Sequence, residues 1–141
     1  MAQIMTFNWL AILVSFLVVF ASGAIWFGPR TFFPVWWKAM GRDVNEKPGG
    51  ENMGLVFGLT ALGQFALVIL VAMLLNVAAQ ANGSVDLVDG LMMGLTAGFI
   101  GAAASLSHRM FAGHGVKVWL IEVSNDVINM IIVGVILSLW R

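Results

Sequence analysis

Polar positions in this chain are gathered into short blocks, and between them run long apolar stretches. The first run extends from Asn8 to Gly28, about the twenty residues that cross a bilayer as a helix. Asn8 is placed to cap its start, and Gly28-Pro29 to end it, because a proline disfavours helix at the residue before it. No Lys or Arg precedes this run, so it is expected to be a retained span rather than a secretory signal. A second run covers about 53–79, a third about 85–107 and a fourth about 116–140. Ala81-Asn-Gly-Ser84 predicts a tight turn that makes spans two and three antiparallel neighbours. Asp86 and Asp89 fall in the first turn of the third span, where negative charge suits the helix dipole. The expected fold is all-α: a single membrane domain over residues 1–141, built as a bundle of four transmembrane helices.

The stretch after the first span differs from the rest. Phe32, Phe33, Trp36 and Trp37 alternate with Arg30 and Lys38, which predicts a short interfacial segment, helical after Pro34. Residues 41–51 form a polar, solvated loop. Trp9 and Trp140 are expected at one membrane interface and Trp26 and Trp119 at the other. Together with Phe32, Phe33, Trp36 and Trp37, they form the set of interfacial anchors.

Composition agrees with the pattern. The 141 residues are 60% hydrophobic and 10% charged, against about a quarter charged in soluble domains. Mean hydropathy is +0.95. Seven basic and seven acidic residues cancel, leaving no net field for nucleic acid. With no cysteine, disulfides and thiolate chemistry are excluded. The bases set the expected orientation: Arg30, Lys38, Arg42, Lys47, Arg109 and Lys117 lie in or beside the first and third loops. By the positive-inside rule those loops are cytoplasmic and both termini are outside.

Two patterns are candidates for function. Glu122, Asn125, Asp126 and Asn129 follow i, i+3, i+4, i+7 spacing on one face of the last span, and Gln64 sits near the middle of the second. Ionisable groups at membrane depth are costly, so they must be paired, face a wet cavity or be neutralised. They form either a hydrogen-bonded knot between helices, Glu122 reaching Arg109, Lys117 or Lys38, or a proton or cation site. The first reading is favoured. Gly90, Gly94 and Gly98, continued by Ala102, make a doubled small-xxx-small pattern, and with Gly54 and Gly58 of span two they would allow close backbone approach. His108 and His114 match no zinc spacing. No metal site, cofactor or catalytic constellation is expected.

Several motifs together resemble a known family: Asn8-Trp9-Leu-Ala-Ile, Gly23-Ala-Ile-Trp-Phe-Gly-Pro29, Trp37-Lys-Ala-Met-Gly41, Val118-Trp-Leu-Ile121 and Ile136-Leu-Ser-Leu-Trp140. They are similar to the small bacterial four-helix membrane proteins of domain of unknown function seventeen-sixty-one. The resemblance covers nearly the whole chain and implies four transmembrane helices, but no reaction. Where the family carries an Asn followed by a Gly-Tyr-His element early in its last helix, this chain reads Glu122-Val-Ser-Asn-Asp126. The expectation is a non-enzymatic subunit of the bacterial inner membrane, packing with itself or with a larger complex in the lipid bilayer. The alternative is an oligomeric proton- or cation-linked transporter or channel.

Overall fold

A computed structural model describes residues 7–43, 45–46 and 52–140. It contains five helices in the order α1 (Trp9–Trp26), α2 (Phe33–Ala39), α3 (Met53–Asn82), α4 (Leu87–Phe111) and α5 (Gly115–Leu139). There is no strand among the described residues. The four long helices are each long and apolar enough to cross a membrane. The remainder of the polar loop after Glu46, and Arg141, lie outside the described residues.

Local chemistry fixes the helix ends. Asn8 Oδ1 accepts from Ala11 N at 3.1 Å, and Asn52 Oδ1 accepts from Leu55 N at 3.0 Å. Each satisfies one of the donors that a helix start leaves free. Asp86 and Asp89 cap each other reciprocally, at 3.0 Å in both directions. α1 stops at Trp26, two residues before the predicted end. The hydroxyl of Thr31 turns back among the carbonyls of Ile25, Trp26 and Gly28 and offers them a donor that the helix no longer supplies. α3 runs on to Asn82, past the predicted end at 79, and Gly83 closes it at φ 82°. Only a residue without Cβ enters that left-handed conformation freely.

The packing departs from one expectation. α3 and α4 share a short connection but are not the close pair. α4 lies along α5 for most of its length, running antiparallel, and touches α3 far less. The cause is the row Gly90, Gly94, Gly98 and Ala102, all buried. Gly98 Cα lies so near α5 that a Cβ there would be 2.8 Å from Val127 Cα, and one on Gly94 would be 2.8 Å from Ile131 Cα. On α5, Gly134 faces Gly90 in the same way. Gly54 and Gly58 take no part in this seam. Among the described residues, and leaving aside the helix's own backbone and the adjoining residues, only the Asn52 side chain lies within 4 Å of a Cβ at Gly54, and nothing lies that near at Gly58. The expectation that they pack with the α4 row is therefore corrected: the first turns of α3, before Gln64, stand away from the bundle. No residue from Met53 to Leu67 is fully buried; packing begins at Gln64 and Phe65, and the buried stripe begins at Val68.

The core joins α1, α3 and α5 through Ala11, Ile12, Val19, Val68, Val71, Leu75, Met130, Val133 and Leu137. It occupies the half of the bundle that holds the start of α1 and the end of α5. At the other end, α2 folds back over the start of α5. Trp36 stacks edge-on against Phe27 at 5.1 Å, and Trp26 stacks on Phe32 at 4.3 Å. Trp37 is buried, only 6% exposed, with its indole N–H donating to Asp43 O at 2.7 Å. It anchors the following loop to α2 and is not the lipid-facing anchor expected, because that hydrogen bond turns the ring inward. Trp9 and Trp140 are both exposed.

Candidate functional site

The polar stripe of α5 does not act as one unit. Glu122, near the start of the helix, is held by two other helices. Arg109 Nε, from the last turn of α4, lies 2.6 Å from its Oε2, and the indole of Trp36 on α2 donates to its Oε1 at 2.9 Å. Arg109 is itself steadied by His114, Nη1 to Nδ1 at 3.2 Å. The carboxylate is largely enclosed, at 14% side-chain exposure. One charge-assisted pair and one neutral donor thus tie α2, α4 and α5 together at this end. Trp26 reinforces the joint by donating to Ile121 O at 3.0 Å, and Trp119 donates to Ala102 O at 3.1 Å and to Ser105 Oγ at 3.2 Å. The tryptophans at this end are hydrogen-bonded struts as much as interfacial anchors.

One turn further in, the stripe divides. Asn125 and Asn129 are buried, at 4% and 1% exposure, whereas Asp126 is exposed. Asp126 lies about 16 Å along α5 from Gly115, close to the helix midpoint. Its carboxylate has no hydrogen bond or ion pair among the described residues. The four positions share one face of α5, as the spacing predicts, but that face is covered at Asn125 and Asn129 and open at Asp126. The core facing α5 is wide at the far end but opens at the level of Asp126, where the first turns of α3 have moved off.

The buried members face the seam between α1, α3 and α5. A Cβ on Gly23 of α1 would lie 3.9 Å from Asn125 Nδ2. The ring of Phe16 on α1 meets Phe65 on α3 at 5.5 Å, edge to face, which places Gln64 beside the same seam. Ser15, which no sequence pattern singles out, is 0% exposed there. Its only signal was position: it shares the inward stripe Ala11, Ile12, Ser15, Val19 of α1. The two histidines lie at the α4–α5 junction, and no group of three or more His, Cys, Asp or Glu side chains converges among the described residues.

Two concavities flank these groups. One, of about 60 Å³, opens at the end holding Asn8, Asn76 and Trp140. The other is a wide apolar groove between α4 and α5, bounded by Phe99, Leu106, Trp119 and Ile128. It runs beside the second half of α4 and the first half of α5, and its lining is almost wholly apolar.

The chain matches no curated protein and no solved structure. A family model, described as "Protein of unknown function (DUF1761)", matches residues 10–138. That span takes in all four membrane helices, the α2 fold-back and the Glu122 joint, and the chain is a member of the DUF1761 family.

Proposed function

We propose that this membrane protein is a small, non-enzymatic interaction subunit that packs with itself or with a larger membrane complex through α5. The observation that carries the reading is Asp126, an exposed carboxylate halfway along a spanning helix and without a hydrogen-bond or ion-pair partner among the described residues. A charged group at the bilayer centre costs on the order of 3 kcal/mol even on insertion-based scales. A neighbouring protein that offers a donor at that depth offsets this cost. The apolar remainder of the surface suits lipid and argues for nothing further. Solubilised in mild detergent and weighed, the protein is expected as an oligomer or with a partner, and Asp126→Leu is expected to release it. A lone monomer in gentle detergent and in nanodiscs would defeat the proposal.

The setting we propose is a bacterial cytoplasmic membrane with both termini outside. The described bases, Arg30, Lys38, Arg42, Arg109 and Lys117, sit around the α1–α2, α2–α3 and α4–α5 connections, and Asp86 and Asp89 sit at the α3–α4 turn. This distribution supports the bases facing the cytoplasm. A reporter fused after Arg141 is expected to be active only outside, and cytoplasmic activity would reverse the assignment.

A further inference from the structure

The seam between α1, α3 and α5 carries polar atoms that the fold leaves unmatched. Ser15 Oγ, Gln64 Oε1, Asn125 Oδ1 and both polar atoms of the Asn129 carboxamide are buried with no hydrogen-bond partner among the described residues. Ser15, Asn125 and Asn129 are each at least nine-tenths buried. In a membrane interior no solvent compensates such groups, and spanning structures normally satisfy them.

Register places the four along one track. Asn125 and Asn129 are one turn apart on α5. With Gly23 beside Asn125 and the helices antiparallel, Val19 stands level with Asn129 and Ser15 one turn beyond. Phe16 opposite Phe65 puts Gln64 at a height between Ser15 and Val19. Gln64 also continues the packed stripe of α3, four residues before buried Val68. The whole track is roughly 12 Å long at 1.5 Å per residue, with Asn129 and Gln64 central.

The chemistry of the set is specific. It presents neutral oxygens from two kinds of carboxamide and one hydroxyl, with no imidazole or thiolate, and so suits a hard cation. A calcium site draws on several carboxylates, and magnesium keeps much of its water. Among the described residues one unmatched negative charge is near: Asp126 adjoins Asn125 in sequence, whereas Glu122 is neutralised by Arg109. One charge balances a monovalent ion. We propose that Ser15, Gln64 and Asn129 form a binding site for an alkali-metal cation such as sodium, with Asn125 one turn nearer the entrance and Asp126 supplying the compensating charge from that same end. The ion enters from the α2 end, where the first turns of α3 leave the bundle open. It is stopped from passing further by the apolar core of Ile12, Val71, Leu75, Val133 and Leu137. The site lies within one chain and so goes beyond the interaction reading.

The test uses the purified protein in detergent, with N-methylglucamine chloride replaced stepwise by sodium, lithium or potassium chloride at constant ionic strength. Sodium or another of these ions should raise the unfolding temperature saturably. Binding of radioactive sodium should saturate over the same range. Asp126→Asn, which removes the compensating charge and keeps the side-chain volume, should weaken half-saturation by about tenfold, or about 1.4 kcal/mol. Asn129→Leu should abolish the response while circular dichroism reports an intact helical fold. Should Asn129→Leu not fold, Ser15→Ala and Gln64→Leu carry the comparison and should each weaken binding. Equal unfolding temperatures in every salt, an unchanged response in the folded variants, or a stronger response to magnesium or calcium would each overturn the assignment. The mass of the same samples reports separately on the interaction reading.

Discussion

Replacing Gly94 by alanine is expected to force α4 and α5 apart and to destabilise the bundle by about 2 kcal/mol or more. The added Cβ would overlap the carbonyl oxygen of Met130 and stand 2.8 Å from Ile131 Cα. Both are backbone atoms, so no rotamer change can relieve the clash, and overpacking of this kind costs about 1–3 kcal/mol or more. The helix-propensity gain on losing a glycine, up to about 1 kcal/mol, acts in the other direction and is the smaller effect. Gly134→Ala should behave similarly, since its Cβ would overlap the carbonyl oxygen of Gly90. Gly58→Ala and Gly63→Ala meet nothing within 4 Å and should leave stability unchanged or slightly raised. Denaturant unfolding in detergent, followed by circular dichroism, measures all four. A Gly94→Ala protein as stable as Gly58→Ala would refute the α4–α5 seam.

Arg109→Leu is expected to be the most damaging change at the charged end, at about 3 kcal/mol, because it leaves the enclosed Glu122 carboxylate without its counter-charge. Trp36 still donates one neutral hydrogen bond, which is too little to balance an ion in low dielectric. The double variant Arg109→Leu/Glu122→Leu should recover most of the loss, since a pair removed together leaves no orphan. Trp36→Phe alone should cost about 1 kcal/mol, the net value of one hydrogen bond. The discriminating measurement is the double-mutant cycle. If the two single losses simply add, the 2.6 Å pair has no energetic meaning.

The sequence made some parts legible because their causes are local. The spans follow from apolar length, and the structure places each long helix within a few residues of its predicted bounds. The ends deviate where a side chain distant in the pattern intervenes, as Thr31 does in closing α1. The cap at Asn8 involves a neighbour three residues away, a reach visible in sequence; Asn52 and Asp86 cap in the same way and were legible only as the start of a span and as charge suited to the helix dipole. Arg109 was among the partners considered for Glu122. Trp36 was not, because its place beside Glu122 depends on α2 folding back over α5.

The candidate site was legible only as a list of residue types. Spacing grouped Asp126 with Asn125 and Asn129, yet the carboxylate is exposed and the amides buried. Ser15 looked like any small residue of a membrane helix until α1 was placed against α5. Gly54 and Gly58 were expected to pack with the α4 glycine row, yet that row meets the backbone of α5 instead.

By itself, then, the sequence determined a four-span membrane protein, its caps, and the side on which its bases collect. Bilayer thickness, backbone hydrogen bonding and charge act on each segment independently of its neighbours. The tertiary structure alone decided that α4 pairs with α5 and not with α3, that α3 stands off the bundle in its first turns, and that one turn of α5 divides into a buried amide pair and an exposed carboxylate. Those outcomes depend on how each helix is rotated and tilted against the others. Small residues permit a close approach, but which approach forms is settled only when all the facing surfaces are present at once.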